Sequence, residues 1–145
     1  MIADTEPTMG RFSVEVELAN NDDLAYAKAG TLAPERVRRA RVRGVVDSGA
    51  TRLVIPKKLA EQLGLDTVPG FKVRYADGRT AQRDMAQGIH LAYGGRESVF
   101  NAIVEPDRES ILIGAIVLED LDYLVDCVGQ RLVPRDPDHI FSEVE

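Results

Sequence analysis

The stretch Val45-Val46-Asp47-Ser48-Gly49-Ala50-Thr51 decides the fold of this chain. Two β-branched residues lead to an aspartate, and a hydroxyl residue and a glycine follow at once. This order predicts an acid at the end of a buried strand, on a tight turn. A carboxylate in that setting is costly unless hydrogen-bond donors, a second carboxylate or a chemical task account for it. Asp47 is therefore the first candidate for a catalytic residue.

A second apolar element lies further along the chain. It is the run Ile111-Leu112-Ile113-Gly114-Ala115, and the residues after it predict a short helix. Between the two elements, Asp77-Gly78 predicts the turn of a β-hairpin over residues 72–80, because Asp-Gly readily adopts positive φ. This order resembles the retropepsin-like (clan AA) aspartic proteases, the single-lobe bacterial and retroviral type, over residues 12–134.

The resemblance implies a fold and a domain organisation. The fold would be all-β: a single-lobe retropepsin-like acid protease barrel with one or two short helices. Residues 12–134 would form the domain, with an N-terminal tail over residues 1–11 and a C-terminal tail over residues 135–145. The apolar strand that ends at Ile113 and Gly114 would cross beneath the catalytic turn.

The resemblance also implies an aspartic endopeptidase that needs no cofactor and no metal ion. Such enzymes hydrolyse a peptide bond with water activated by two carboxyl groups that share one proton. This chain has one Asp-Ser-Gly, so a homodimer is implied, with Asp47 of each subunit meeting on a two-fold axis. Ser48 would hydrogen-bond across the axis, and Gly49 would let backbone amides reach the carboxylates. The turn would be completed by Ala50 and Thr51.

In the same resemblance, the hairpin is a flap that closes over a polypeptide substrate. Its substrate-binding residues would be Tyr75, Ala76, Asp77 and Gly78. Retroviral enzymes usually carry an acidic or amide residue just after the Asp-Ser-Gly-Ala-Thr region, paired with an arginine after the apolar-glycine element. These positions hold Arg52 and Ala115 here, so that ion pair is not expected in this dimer.

Composition limits the class of protein. A length of 145 residues predicts one domain, and a hydrophobic content of 44% with 29% charged residues is ordinary for a globular protein. No apolar run is long enough to cross a membrane, and the net charge of −6 argues against a nucleic-acid partner. One cysteine, with no secretory pattern in residues 1–10, predicts a cytoplasmic protein. One cysteine and two histidines leave little material for a soft-metal site.

Alternating patterns predict the strands that lead to Asp47. Apolar residues alternate with acids over residues 12–18, and arginines alternate with apolar residues over 39–43. If the two strands pair antiparallel, Glu15 and Glu17 could lie opposite the arginines. Between them, residues 20–23 indicate a turn and residues 24–36 have no clear period. That connection is interpreted as an extended hairpin, or as a flank that contacts substrate or a partner subunit.

Other interpretations of single residues have less support. Asp47 could be an ordinary turn aspartate, and the surrounding glycines imitate a phosphate-binding loop, but Ala50 occupies the position of the lysine that such a loop needs. Asp77 as a second catalytic acid in one chain is disfavoured, because its neighbours build no matching turn. Cys127 is expected to be a buried structural thiol in an apolar strand.

Two alternatives to an endopeptidase stay open at this point. The first is a non-catalytic retropepsin-like module that dimerises or binds extended peptides in the same groove. The second is a monomer with an unrelated ligand site. Peptide cleavage that depends on Asp47 separates the enzyme from the module, and self-association separates both from the monomer.

Overall fold

The computed structural model of the protein describes residues 11–145, so the predicted N-terminal tail lies outside the described residues apart from Arg11. Nine strands run through the described chain: β1 (Arg11–Asn20), β2 (Arg39–Asp47), β3 (Leu53–Pro56), β4 (Thr67–Arg74), β5 (Thr80–Tyr93), β6 (Arg96–Glu105), β7 (Ile111–Ile113), β8 (Tyr123–Asp126) and β9 (Arg131–Pro134). The same part of the chain contains three short helices: α1 (Asn21–Ala29), α2 (Lys57–Gln62) and α3 (Ala115–Leu121). None of these described helices is long and apolar enough to span a membrane.

Six of the strands close into a barrel. Their hydrogen-bonded order is β1-β2-β7-β3-β6-β5, and β1 also pairs with β5, which joins the two ends of the sheet. β7 runs parallel to β2 and antiparallel to β3. β4 extends β5 outside the barrel, and β8 and β9 form a separate two-stranded sheet. This topology confirms the predicted all-β barrel, with three short helices in the described chain instead of one or two.

The strands that lead to Asp47 pair in the register that their alternation predicts. β1 and β2 are antiparallel, with Glu15 opposite Arg43 and Glu17 opposite Arg41. Arg41 forms ion pairs with both acids, at 2.7 Å to Glu17 and 3.6 Å to Glu15. The other face of these strands carries apolar side chains that pack in the barrel interior.

The core packs closely enough to require a glycine within β2. Its fully buried side chains include Leu18, Val46, Leu53, Ile55, Leu63, Ile89, Leu91, Ile111 and Ile113. A Cβ at Gly44 would lie 2.7 Å from Ile113 Cδ1 and 2.8 Å from Ile111 Cγ1. Glycine at this position therefore makes room for the two isoleucines that anchor β7.

The connection between β1 and β2 is a helix followed by a short 3-10 turn, Pro34–Arg36. Asn20 caps α1 by accepting a hydrogen bond from the Asp23 N–H, and Gly30, with φ of +84°, ends it. The residues that indicate a turn at 20–23 thus begin a helix, because asparagine and aspartate favour both. The predicted extended hairpin is wrong, whereas contact of this segment with substrate or a partner stays a prediction.

One expectation near the C-terminus also needs correction. Cys127 lies in the turn between β8 and β9 and is half-buried, so it is not a buried thiol within a strand. Residues 135–145 have no helix or strand and are bound to the domain. Arg135 pairs with Asp122 at 2.8 Å, and the Phe141 N–H donates to Asp122 Oδ2 at 3.0 Å. Because Asp122 is buried at the end of α3, it ties the tail to the barrel.

A buried carboxylate fixes α1 to the start of β2. Asp23 is 5% exposed and accepts hydrogen bonds from the Arg38 N–H at 3.0 Å, Nε at 2.8 Å and Nη2 at 3.0 Å. The side-chain hydrogen bond from Arg38 is the main reason that the pKa of Asp23 lies below its ordinary value of 3.8. The ionised carboxylate therefore stabilises the fold above that value. This stabilisation is lost as the pH falls through the lowered pKa.

We predict that Asp23→Asn lowers the free energy of unfolding by about 1–3 kcal/mol at neutral pH, because Arg38 loses its charged partner. The difference from the parent protein should shrink progressively below pH 3.8, as the parent carboxyl is also neutralised. Urea unfolding across about pH 2–7 measures both effects. Asp22→Asn changes an exposed acid of the same helical turn and should cost about 0.5 kcal/mol or less. Equal losses in the two variants would contradict this account.

Candidate active site

Asp47 ends β2 and begins a tight turn. Its side chain is 23% exposed, so the acid is partly open to solvent although the preceding Val46 is fully buried. The Gly49 N–H donates to Asp47 Oδ1 at 3.0 Å, and the Ala50 N–H donates to the Asp47 carbonyl at 3.1 Å. One carboxylate oxygen is therefore held by the turn itself. Ser48 and Gly49 are exposed beside it.

The second apolar element holds this turn in place. β7 pairs parallel with β2, with Ile113 beside Val46. At the start of α3, the Ala115 N–H donates to the Ala50 carbonyl at 2.8 Å, and the Ile116 N–H donates to the Thr51 carbonyl at 2.9 Å. The structure thus brings together one group of predicted site residues: Asp47, Ser48, Gly49, Ala50, Thr51, Ile113 and Gly114.

Gly114 is required because backbone atoms of the turn surround it. A Cβ at this position would lie 2.8 Å from the Ala50 carbonyl oxygen and 2.9 Å from the Arg52 nitrogen, and closer still to the Arg52 carbonyl oxygen. Backbone atoms cannot rotate away as a flexible side chain can. The glycine therefore permits the close contact between β7 and the Asp47 turn.

Arg11 is a neighbour of Asp47 that the sequence-based predictions place in the N-terminal tail. It lies directly opposite Asp47 in the pairing of β1 with β2, and its Nη2 is 3.4 Å from Asp47 Oδ2. The register that sets Glu15 opposite Arg43 also sets Arg11 opposite Asp47. The sequence signal for Arg11 is therefore this register: extended four residues back from Glu15, it places Arg11 opposite Asp47.

The other predicted site residues, Tyr75, Ala76, Asp77 and Gly78, form the turn between β4 and β5. The Gly78 N–H donates to the Tyr75 carbonyl at 2.9 Å, and Gly78 has φ of +89°, as the Asp-Gly pair predicts. β4 is the outermost strand of the sheet, and its register shifts at Pro69 and Gly70. Among the described residues, no hydrogen bond or ion pair joins this turn to the Asp47 turn, so its role as a flap stays a prediction.

Tyr75 anchors the base of this hairpin. Its hydroxyl donates to Glu105 Oε2 at 2.6 Å, and Arg83 Nε donates to Glu105 Oε1 at 2.9 Å. The Arg79 guanidinium lies 4.9 Å from the centre of the tyrosine ring. Burial, followed by the hydrogen bond with Glu105, raises the pKa of the Tyr75 hydroxyl, so this group donates as a neutral phenol. Glu105 was not a sequence candidate, because nothing local links it to the hairpin.

We predict that Gly114→Ala lowers the free energy of unfolding by about 2 kcal/mol and the Tm by about 6 °C, because its methyl group overlaps backbone atoms of the turn. Gly49→Ala is the matched control in the same site. A Cβ there meets only Asp47 Oδ1, at 3.2 Å, so we expect a smaller loss of stability. Thermal unfolding of the two variants measures the difference. A Gly114→Ala protein as stable as the parent would show that the contact is not tight.

Comparisons with known proteins agree with this geometry. A sequence profile described as Aspartyl protease matches residues 33–117, more than half of the chain, and includes both the Asp47 turn and Gly114. No curated protein matches the chain in sequence.

Solved structures of retroviral proteases resemble this one. The EIAV protease complexed with the inhibitor HBY-793 has 17% identity and a TM-score of 0.54, covering 85% of this chain and 92% of that chain, which shows a shared fold. The Simian Foamy Virus (mac) protease has 18% identity and a TM-score of 0.46, covering 74% of this chain and 91% of that chain. Because the family profile spans the elements that build the Asp47 turn, the chain belongs to the aspartyl protease family.

Proposed function

We propose that this chain is an aspartic endopeptidase that acts on polypeptides as a homodimer, with one catalytic Asp47 from each subunit. The observation that carries the proposal is the Asp47 turn. A partly exposed carboxylate accepts the Gly49 N–H, and two carbonyls of the same turn are bonded to the start of α3. This arrangement positions a carboxylate rigidly while leaving it accessible. A single cysteine in the sequence supports a cytoplasmic location.

The proposed chemistry needs two carboxyl groups within hydrogen-bonding distance. Like charges that close cannot both ionise, so the pair retains one proton. The ionised member takes a proton from water, whose oxygen attacks the peptide carbonyl carbon, while the other member gives its proton to the carbonyl oxygen. In the second step the newly protonated member gives its proton to the amide nitrogen, the ionised member takes a proton from a hydroxyl of the tetrahedral intermediate, and the C–N bond breaks to release an amine and an acid. The pair then holds one proton again.

The second carboxylate has to come from another subunit. The chain contains one Asp-Ser-Gly sequence. Asp77, the other acid considered, is exposed and paired with Arg79 at 2.8 Å in the hairpin turn. The exposure of Ser48 supports its proposed hydrogen bond across the two-fold axis.

The C-terminal part of the domain offers a surface for this association. The β8–β9 hairpin pairs with no other described strand, so both of its outer edges are free within the described chain. Large apolar side chains are exposed on the hairpin and the tail: Leu124, Val128, Ile140, Phe141 and Val144. Free strand edges combined with exposed apolar side chains favour pairing with a second copy.

Arg11 completes the proposed site. Its Nη2 is 3.4 Å from Asp47 Oδ2, and its side chain is 44% exposed. A positive charge at this distance supports the single negative charge that the two carboxyl groups share. The long side chain can also turn away from the second carboxylate when the dimer forms.

We predict that Asp47→Asn reduces cleavage of an unfolded protein substrate by at least about 10³-fold at mildly acidic pH, because the amide can neither accept nor supply the shared proton. The association state, measured by analytical ultracentrifugation, should not change. Asp77→Asn should keep most of the activity, since Asp77 lies outside the pair. Loss of cleavage in Asp77→Asn with full cleavage in Asp47→Asn would reverse the assignment.

Mixing the parent with Asp47→Asn tests whether two subunits share the site. A mixed dimer has one carboxylate, so we expect excess variant to lower the activity of a fixed amount of parent. Activity that stays constant across the titration, under conditions in which subunits exchange, would rule out a site shared between chains.

We predict that Tyr75→Phe lowers kcat/KM about 3–10-fold, mainly through a higher KM, because the hairpin loses its hydrogen bond to Glu105. Steady-state cleavage of a peptide measures the effect. Tyr26→Phe removes the hydroxyl of a tyrosine that is 57% exposed on α1, and it should leave both kinetic constants unchanged. A Tyr75→Phe enzyme with parental KM would show that this anchor does not act on the bound substrate.

The Arg11–Asp47 contact also favours a second candidate, a non-catalytic module that dimerises or binds extended peptides. A carboxylate that stays bound to a guanidinium in the dimer is a poor base. The parent protein would then bind peptides without cutting them, and Arg11→Gln, which frees the carboxylate, would leave peptide binding intact. A protein that binds peptides and cuts none at any pH would support this module over the enzyme.

A further inference from the structure

A cavity of about 690 Å³ opens on the flank of the barrel, beside the loop of residues 106–110. Its apolar surface comes from four different elements, through Val42, Pro56, Leu59 and Ile111. Three of these residues are buried and belong to the barrel core or its cover, so the floor is rigid. Asp47 does not line this cavity, which is therefore separate from the catalytic turn.

Three cationic side chains line the same cavity: Arg43 from β2, Lys58 from α2 and Arg108 from the loop. None of them has a carboxylate within 4.0 Å among residues 11–145, whereas the nearby Arg41 is paired with both Glu15 and Glu17. The lining also includes the acids Asp107 and Glu109, both exposed on the loop. The cavity thus carries one more positive than negative charge, in a chain whose net charge is −6.

Arg108 is the most constrained of these cations. Its Nε donates to the Ser110 carbonyl at 2.6 Å and its Nη2 to Ser110 Oγ at 3.2 Å, and both acceptors are uncharged. Burial, followed by repulsion from Arg11, lowers the pKa of Arg108, while Glu105 and Asp47 oppose the shift. A partly buried guanidinium whose hydrogen-bond acceptors are uncharged is stabilised by an added anion.

The lining selects among anionic ligands. Asp107 and Glu109 would repel a dense polyanion such as a polyphosphate, so an isolated carboxylate fits better. The apolar floor requires an apolar group beside that carboxylate. The volume falls in the range of about 300–1,000 Å³ that is usual for ligand sites.

We propose that this cavity binds an acidic segment of the polypeptide substrate, in which glutamate or aspartate neighbours an apolar side chain. The carboxylate contacts Arg108 and Lys58, and the apolar side chain rests on Val42, which is partly exposed, beside Leu59. The inference rests on the proposed endopeptidase function. β2 links the two sites, because it carries Arg43 in the cavity lining and ends at Asp47.

Peptide binding to the full-length Asp47→Asn protein tests this proposal without turnover. The probes are a short fluorescein-labelled peptide in which leucine alternates with glutamate, and its counterpart with glutamine in place of glutamate. Fluorescence anisotropy at low salt should show about tenfold tighter binding of the glutamate peptide, the effect of one charge-assisted contact. Equal affinity for the two peptides would overturn the proposal.

Two added substitutions assign the preference to the cavity. In the Asp47→Asn background, Arg108→Gln and Lys58→Gln should each remove most of the preference for glutamate. Lys58→Gln keeps the test sound if Arg108→Gln disturbs the loop. Lys57→Gln changes the adjacent exposed lysine, which does not line the cavity, and should keep the full preference. Equal effects of Lys57→Gln and Lys58→Gln would refute the site, as would displacement of the peptide by an equal concentration of inorganic phosphate.

Cleavage by the parent protein separates this proposal from the endopeptidase itself. If the parent cuts neither peptide while Lys58→Gln still abolishes the binding preference, the cavity is supported as a binding site and only the endopeptidase function is contradicted. If the parent cuts both peptides with the same kcat/KM, and the Asp47→Asn protein binds both equally, the endopeptidase function is supported and the cavity is ruled out as a binding site.

Discussion

Two backbone hydrogen bonds between α3 and the Asp47 turn fix the position of that turn, on which the candidate active site depends. They run from the N–H groups of Ala115 and Ile116 to carbonyls of the turn, across the space that Gly114 leaves open. Because β7 enters this contact straight from the core, the packing of its isoleucines sets where the turn lies. In the proposed dimer, the Asp47 carboxylate needs this rigidity to meet its counterpart, since small displacements would separate the pair.

Local signals in the sequence predict the strands that lead to Asp47 and the tight turn that holds it, whereas the barrel is implied by the resemblance to the retropepsin-like proteases. Alternation over β1 and β2 predicts two half-buried strands, and opposite charges at Glu15 and Arg43 predict how they pair. The same resemblance implies that the apolar run ending at Gly114 crosses beneath this turn. The structure agrees with these patterns because the apolar positions face the barrel interior and the charged positions face solvent.

Other features depend on competing local preferences or on distant contacts. Residues 20–23 suit a turn and a helix start equally well. In the structure, Asn20 caps α1 and Arg38 hydrogen-bonds to Asp23 in its first turn. The bond between Tyr75 and Glu105 joins residues 30 positions apart. No sequence pattern indicates that contact, because it forms only when β5 and β6 are paired. The cavity beside residues 106–110 likewise exists only where four elements meet.

The shifted register at Pro69 and Gly70 affects how this protein behaves in a crowded solution. β4 is the outer border of the seven-stranded sheet, and Val68 and Phe71 are both 38% exposed on it. Proline has no N–H to offer, and the bulge bends the border, so another strand finds no continuous row of donors and acceptors. Any chain that docks along this border can use only a short stretch, which protects the domain against growth into fibrils.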